Sequence, residues 1–272
     1  MTIVDVGTGP PLVLVPGIQG RWEWMKPAVD ALASHCRVIT FSLADERTCG
    51  VSFDSKRGFD CYVDQILAAL DQADITSAAI CGVSYGGLIA AAFAARHPDR
   101  TSALILVSAV PPSWTPDSRV RFYLRAPRLL SPLFCVASLR LYREIAAATS
   151  GVLHGIRAAV RHGLTAATHP FSPSRMARRV LLLDGLDLIP ELQGVRVPVL
   201  IITGEPDLER VVPVRLTREY FAIWPHARGA TIANTGHLGS ITRPTEFAGM
   251  VAPFVAQASS GRPDSAGLRT SA

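Results

Sequence analysis

The hydrophobic positions of this chain fall into six short runs, separated by longer segments with helical periodicity. The runs are PLVLVPG, RVITFSL, SAAICG, SALILVS, VPVLIITG and GATIANTG. Short apolar runs that alternate with helix-length segments are typical of a parallel sheet with helices on both faces. The near-continuous hydrophobicity of the runs also indicates strands that are buried on both sides. The pattern therefore predicts the α/β class.

Five of the intervening segments predict helices, and they divide the chain into a core and a tail. The predicted helices cover residues 22–34, 59–72, 86–96, 214–223 and 245–256. Residues 1–110 and 193–256 are then expected to form one α/β core. Residues 257–272 are small, polar and glycine-containing, which predicts a disordered tail.

Residues 111–192 interrupt the alternation and are too numerous for a plain loop. Helical stretches separated by proline, glycine and threonine are predicted at 120–130, 139–149, 153–161 and 174–183. We therefore expect a helical cap inserted over the carboxyl ends of the strands.

Charge is concentrated in this predicted cap. Residues 113–192 contain 11 arginines, no lysine and 5 acidic residues, whereas the rest of the chain has 16 basic and 17 acidic residues. The net charge of +5 is therefore a property of the cap. Two interpretations stay open: steering of an anionic substrate toward a site, or an arginine-rich surface that is simply solvated.

Composition narrows the class of protein further. A chain of 272 residues with 49% hydrophobic and 18% charged residues is expected to fold. Its five cysteines show no CxxC or Cys/His ligand spacing, which predicts a reducing compartment and no metal site. The N-terminus lacks a signal-peptide pattern, and no stretch offers about 18 uncharged apolar residues. These features predict a cytoplasmic protein without a membrane span, and no nucleic-acid recognition motif accompanies the basic charge.

The segment SAAICGVSYGGLIAAAFAARHPDR places Ser84 between a predicted strand and a predicted helix. GVSYGG fits the G-x-S-x-G pattern, in which a serine occupies a sharp turn and the flanking glycines avoid collisions with neighbouring backbone. The alternative is that Ser84 only caps the helix. We interpret Ser84 as a nucleophile because strand, turn and helix are all present.

A serine hydroxyl is a weak nucleophile at neutral pH, so the motif predicts a histidine base and an acid that orients it. They should follow the serine in the order Ser, Asp/Glu, His. His237, between a strand-like run and the final helix, is the predicted base, with His169 in reserve. For the acid, we prefer Asp207 over Glu209, both in VLIITGEPDLERVVP, because aspartate is the more usual partner.

Acyl transfer also requires donors for the developing oxyanion. The predicted donors are the backbone N–H groups of Tyr85 and of Ile18, in the loop VPGIQGRW. The alternative is that this glycine-bearing loop is an ordinary turn. Four further residues could line the substrate pocket or only pack the core: Gly17, Trp22, Trp24 and Trp114.

Four segments together resemble the α/β-hydrolase fold family over residues 3–256. They are GTGPPLVLVPGIQG, GVSYGGLIAAAFAARHPDRTSALILVSA, PVLIITGEPDLERVVP and NTGHLGSITRPTEFAGMVAPFV. The resemblance implies a mostly parallel, twisted sheet of eight strands with a helical cap. It also implies a triad of Ser84, Asp207 or Glu209, and His237, with no metal or organic cofactor. Because the chain begins only eleven residues before LVLVPG, seven strands are the alternative.

Two departures from the family pattern affect the site. Pro16-Gly17 stands where the family usually has His-Gly before the oxyanion loop, which leaves the hydrogen bonds of that loop open. FSLADERTCGVS replaces the usual D-L-x-G-x-G-x-S segment. The lining of that side of the pocket therefore cannot be inferred by analogy.

The leading functional hypothesis is a serine hydrolase that cleaves a small carboxylic ester or thioester through an acyl-enzyme on Ser84. Its partner would be that small molecule, anionic if the cap steers it, and the sequence leaves the oligomeric state open. The alternative is a member of the same fold that acts as a lyase, as a cofactor-free peroxidase or as a non-catalytic ligand-binding protein, since fold alone does not determine function.

Overall fold

All six predicted strands form, and one short strand precedes them. The computed structural model describes residues 1–133, 141–148, 160 and 163–261. The strands are β1 (Val4–Val6), β2 (Pro11–Val15), β3 (Arg37–Thr40), β4 (Ala78–Val83), β5 (Thr101–Val107), β6 (Val199–Thr203) and β7 (Arg228–Thr231). They form a seven-stranded sheet in the order β1-β3-β2-β4-β5-β6-β7, in which only β1 pairs antiparallel. Within the described residues the sheet thus has seven strands, the alternative to the eight that the family resemblance implied.

The central strands are buried on both faces because alternate residues point to opposite sides of the sheet. On β2, Leu12 and Leu14 join one hydrophobic cluster, and Val13 and Val15 join the other. Helices cover both faces and exclude water from both clusters. The predicted burial on both sides is confirmed.

The helices outside the predicted cap follow the sequence pattern, with two interruptions and one short helix, Gly239–Thr242, that was not predicted. They are α1 (Lys26–Leu32), α2 (Asp60–Gln72), α3 (Tyr85–Arg96), α8 (Val214–Thr217), α9 (Tyr220–Ile223), α10 (Gly239–Thr242) and α11 (Pro244–Ser259). The predicted helix 22–34 divides into a 3₁₀ turn (Trp22–Met25) and α1, because Pro27 stands at the start of the latter. The predicted helix 214–223 divides into α8 and α9.

The described residues between β5 and β6 contain helices and no strand. They are α4 (Ser118–Arg125), α5 (Tyr142–Ala148), α6 (Pro173–Leu181) and α7 (Ile189–Leu192), with helical turns at 131–133 and 163–168. The predicted helix 153–161 lies outside the described residues except for residue 160. The division into a core and an inserted cap at 111–192 stays a prediction, and the name "cap" is kept for these residues.

Two further sequence predictions concern the end of the chain and membrane spans. α11 continues to Ser259, so residues 257–259 are helical and the predicted start of a disordered tail at 257 is wrong. Residues 262–272 lie outside the described residues. Within the described ranges, no helix has both the length and the apolarity needed to cross a membrane.

Candidate active site

Ser84 occupies a sharp turn between β4 and α3. Its backbone has φ 54° and ψ −118°, in the region that L-residues rarely adopt. The Ser84 N–H donates to the carbonyl of Val107 on β5 at 2.9 Å, and its own carbonyl accepts from Gly87 at 2.9 Å. Such strain costs on the order of 1–3 kcal/mol and persists only where the surroundings impose it. The sheet and the helix together therefore hold Ser84 in this conformation.

Glycine is required on both sides of Ser84 because backbones approach closely there. A Cβ added at Gly82 would lie 2.2 Å from the carbonyl oxygen of Gly86, and one at Gly86 would lie 2.5 Å from that of Pro16. No Cβ can be accommodated at these distances without moving the backbone. The two glycines of the motif thus allow α3 to pack directly against the end of β2.

His237 pairs with Glu209 in a buried site. His237 Nδ1 lies 3.3 Å from Glu209 Oε2. The other carboxylate oxygen of Glu209 accepts the N–H groups of Val211 at 2.7 Å and Val212 at 3.0 Å. Ser84, Glu209 and His237 are exposed by only 6%, 6% and 9%. The site is therefore dry enough for charges to interact strongly.

The structure corrects the preference for Asp207 as the partner of His237. The N–H of Glu209 donates to the carbonyl of Glu205 at 3.0 Å, so residues 205–209 form a single helical turn. Residues four apart on such a turn share a face, whereas the residue between them points away. Glu205 accordingly accepts the N–H of Asn234 at 2.8 Å, while Asp207 is exposed. The sequence signal that favours Glu209 is its position directly before the segment RVVP.

The pairing determines which nitrogen of His237 carries the proton in the neutral ring. An ionised carboxylate only accepts hydrogen bonds, so Nδ1 must donate to Glu209. Nε2 is then left as the acceptor that a nucleophile requires. Burial raises the pKa of the Glu209 carboxyl, but His237 and the N–H groups of Val211 and Val212 outweigh it, and the pKa is lowered below 4.5. Glu209 is thus ionised at neutral pH.

The three residues follow three parallel strands of the sheet, at its carboxyl edge. Ser84 follows β4, Glu209 follows β6 and His237 follows β7. A Cβ at Gly204 would lie 2.4 Å from the carbonyl oxygen of Gly236, and one at Gly236 would lie 2.5 Å from that of Leu208. These two glycines allow the loops that carry the acid and the histidine to contact each other.

The predicted oxyanion loop is a tight turn beside Ser84. The N–H of Gly20 donates to the carbonyl of Gly17 at 2.9 Å, which places Ile18 at a central position of the turn. A Cβ at Gly17 would lie 3.5 Å from Ser84 Cβ. Tyr85 is the first residue of α3, where backbone N–H groups have no partner within the helix. The structure thus brings both predicted donor residues next to Ser84.

Two of the three tryptophans predicted near the pocket, Trp24 and Trp114, lie where the cap meets the rest of the fold. Trp24 donates from Nε1 to the carbonyl of His169 at 3.0 Å, and its ring lies 6.0 Å from that of Phe171. Trp114 lines a small cavity together with Leu88, Leu183, Leu186 and Leu188. Trp22 is half-buried at the start of the 3₁₀ turn.

His169, the reserve candidate for the base, lies in a different environment from His237. Its Nδ1 lies 2.8 Å from the hydroxyl of Thr168, and its Nε2 lies 3.8 Å from Glu23 Oε1. Its ring is therefore engaged with Thr168 and Glu23, whereas Glu209 faces His237. The geometry favours His237 as the base.

Two charged residues of the cap contact the site and were missed by sequence reasoning. The buried carboxylate of Glu144 accepts the N–H of Leu238, next to His237, at 2.5 Å. Arg179 is fully buried and donates to the carbonyl of Ile18 at 2.7 Å. The only signal in the sequence was the arginine-rich composition of the cap, which does not distinguish one arginine from another.

Metal ligands are not clustered in the described part of the chain: no group of three or more His, Cys, Asp or Glu side chains there could hold an ion. The site consists of a hydroxyl, an imidazole, a carboxylate and backbone donors. Such a set can attack a carbonyl carbon, transfer a proton and hold the oxyanion that forms. Fold and site together define the class of α/β enzymes with a buried serine at a strand–helix turn.

Comparison with known proteins gives the family. Residues 12–250 match the model of the alpha/beta hydrolase family, so the chain belongs to it, and the resemblance inferred from the motifs is confirmed. Among curated relatives, it is 27% identical to 2-hydroxymuconate semialdehyde hydrolase of Pseudomonas sp. (strain CF600), over 93% of this chain and 89% of the relative. Family and relative make this chain a hydrolase-type enzyme.

Solved structures agree on the fold. The enol-lactonase from Burkholderia xenovorans LB400 superposes with a TM-score of 0.72 at 22% identity, over 93% of this chain and 95% of its own. The esterase from Exiguobacterium antarcticum gives a TM-score of 0.75 at 16% identity, over 93% of this chain and 94% of its own. At these identities the likeness extends to the fold alone.

Proposed function

We propose that the protein is a serine hydrolase that cleaves a small carboxylic ester or thioester. The observation that carries the proposal is the buried pair of His237 Nδ1 and Glu209 Oε2, 3.3 Å apart, at the same edge of the sheet as Ser84. A carboxylate in this position holds the imidazole in the tautomer that can accept a proton through Nε2. A histidine that lay in this loop by chance would not be expected to face a buried carboxylate that two backbone N–H groups hold in place.

The proposed reaction has two stages on one serine. Ser84 Oγ attacks the carbonyl carbon while its proton moves to His237 Nε2, and the oxyanion is held by the N–H groups of Tyr85 and Ile18. The tetrahedral intermediate collapses, and His237 returns the proton to the departing alcohol or thiol. Water then attacks the acyl-enzyme while His237 takes its proton, and His237 returns that proton to Ser84 Oγ as the acid leaves.

The charges of the site fit this sequence of steps. Proton transfer to His237 creates an imidazolium next to Glu209, whose pKa is lowered, so the new positive charge meets an ionised carboxylate. In a buried site this attraction is stronger than it would be in water. Ser84 supports acyl chemistry because an oxygen nucleophile in this position forms an ester with the acyl group, which water can cleave.

Labelling with a fluorophosphonate probe, read by intact mass and peptide mapping, tests the proposal. We expect one label, on the peptide that contains Ser84, and none on the Ser84→Ala variant. The labelled protein should lose its turnover of p-nitrophenyl esters. A folded wild-type protein that takes no label, or a Ser84→Ala variant that still turns over esters, would overturn the proposal and favour ligand-binding or non-hydrolytic chemistry.

A further inference from the structure

Arg179 is a fully buried arginine of α6 that lies between the segment after β3 and the turn after β2. Its Nη2 donates to Asp45 Oδ1 at 2.5 Å and to Glu46 Oε1 at 2.6 Å, and its Nε donates to Asp45 Oδ1 at 3.1 Å. Its Nη1 donates to the carbonyl of Ile18 at 2.7 Å. One guanidinium thus connects the cap, the segment after β3 and the oxyanion turn, residues 17–20.

The oxyanion turn is shaped around this guanidinium. The turn is closed internally by the bond from Gly20 N–H to the carbonyl of Gly17, and the carbonyl of Gly20 accepts the N–H of Leu43 at 2.7 Å. Arg179 adds a third attachment, at Ile18. Gly20 has φ +77°, and a Cβ there would lie 2.3 Å from the guanidinium carbon. A side chain at position 20 and a buried Arg179 are therefore incompatible.

The environment of Arg179 leaves it unsuited to hold a substrate anion. Every guanidinium nitrogen already has a protein acceptor, and the side chain has no exposed surface. Asp45 and Glu46 supply two negative charges, and the half-buried Arg175 contacts the second oxygen of Glu46 at 3.1 Å. The four charges balance within the protein. The positive charges of Arg175 and Arg179 in the cap are thus paired with carboxylates of the protein itself.

We propose that Arg179 is a positioning residue that holds the oxyanion turn from the side of the cap. The inference rests on the proposed function, because it assigns Arg179 a role in aligning the N–H of Ile18. A hydrogen bond to the carbonyl of Ile18 restricts the backbone on one side of this residue, and the closed turn restricts the other. The donor is then aimed before substrate binds, which is the condition for strong oxyanion stabilisation.

Two consequences follow from this arrangement. The hydrogen bond from the N–H of Ile18 to the oxyanion exists only when negative charge develops on the substrate oxygen. Loss of Arg179 should therefore lower kcat and leave KM nearly unchanged. Docking of α6 and alignment of the oxyanion donor are also coupled, because one side chain serves both. A displaced cap would therefore leave Ser84 without one of its two proposed donors.

Kinetics of Arg179→Gln, with Arg178→Gln as the matched control, test the proposal. Arg178 is the adjacent residue on the same helix and is exposed. We expect kcat of Arg179→Gln on a p-nitrophenyl ester to fall about 10²-fold, the loss that follows removal of one oxyanion donor. An alkyl boronic acid, which forms a tetrahedral anion on the serine, should lose affinity in parallel. KM should stay within about threefold, and the control should match the wild type. A wild-type kcat and boronate affinity, or a change in KM alone, would overturn the inference.

A second variant separates positioning from stability, because Arg179→Gln leaves Asp45 and Glu46 buried without their partner. The triple variant Arg179→Met, Asp45→Asn, Glu46→Gln removes three of the four charges, keeps only that of the half-buried Arg175, and should be more stable than Arg179→Gln because no carboxylate is left buried without its partner. A folded triple variant with low kcat and weak boronate binding supports the proposal. A folded triple variant with wild-type kcat overturns it while the fluorophosphonate labelling of Ser84 stands. An unlabelled wild type would instead overturn the proposed function, and this inference with it.

Discussion

Replacement of Glu209 by glutamine is expected to abolish most activity, because an amide cannot satisfy the contacts that the carboxylate makes. Three donors converge on this side chain: the N–H groups of Val211 and Val212 at Oε1, and His237 Nδ1 at Oε2. Glutamine offers one acceptor oxygen and one NH₂ group that only donates. The NH₂ group must therefore face a donor, either His237 Nδ1 or the backbone N–H groups of Val211 and Val212.

The two orientations of the amide have different costs. If the oxygen keeps the Val211 and Val212 donors, the NH₂ group faces His237 Nδ1, which must then accept. The proton of the neutral ring moves to Nε2, and the histidine can no longer take the proton of Ser84. If the amide turns around, the N–H groups of Val211 and Val212 lose their acceptor, and the buried one, that of Val212, costs about 1–3 kcal/mol when it is left unsatisfied. The first orientation is therefore favoured, and it is the inactive one.

The magnitude follows from the tautomer. A triad with the wrong histidine tautomer loses on the order of 10⁴ in kcat, which corresponds to about 5 kcal/mol of transition-state stabilisation. We expect a loss of roughly 10³ to 10⁴ for Glu209→Gln. Asp207→Asn is the matched control because Asp207 is exposed on the opposite side of the same turn, and its kcat should stay within about twofold.

The assay is steady-state hydrolysis of a p-nitrophenyl ester by the two variants, with circular dichroism to verify that both are folded. A larger loss in Asp207→Asn than in Glu209→Gln would refute the reasoning from the helical turn at 205–209. A folded Glu209→Gln variant that keeps more than a tenth of the wild-type kcat would refute the role of the carboxylate itself.

Two further predictions concern stability and are measured by urea unfolding. Gly86→Ala should destabilise the fold by about 3 kcal/mol, because the added Cβ would lie 2.5 Å from a backbone oxygen. Gly249→Ala is the control: it has open space around it in α11 and should stabilise the fold by about 0.5–1 kcal/mol. Equal effects of the two substitutions would contradict the close packing of α3 on β2. Burial raises the pKa of Glu144 above 4.5, so its ionised form opposes folding at neutral pH. Glu144→Gln should thus be more stable than the wild type at pH 7, and the difference should shrink as pH falls through the raised pKa; a difference that does not depend on pH would contradict burial of the carboxylate.

The sequence alone was sufficient for strands β2 to β7 and for the placement of Ser84 and His237 after two of them. Runs such as PLVLVPG and SALILVS form β2 and β5 because apolar residues on both faces can be buried only in the middle of a layered fold. G-x-S-x-G predicted the turn at Ser84 because only glycine permits the approach of Gly82 to Gly86. Such local constraints depend on residue type and spacing, and both can be read from the sequence.

Long-range pairing was decided by the tertiary structure. A carboxyl group is carried by each of Glu205, Asp207 and Glu209, which lie within five positions of one another. Only the helical turn and the loop of His237 determine which of these carboxylates becomes buried. Arg179 lies 134 positions after Asp45, and nothing in its neighbourhood distinguishes it from the exposed Arg178. The partner of a charged side chain depends on which segments the fold brings together, and this information is absent from local sequence because the contacting residues are far apart along the chain.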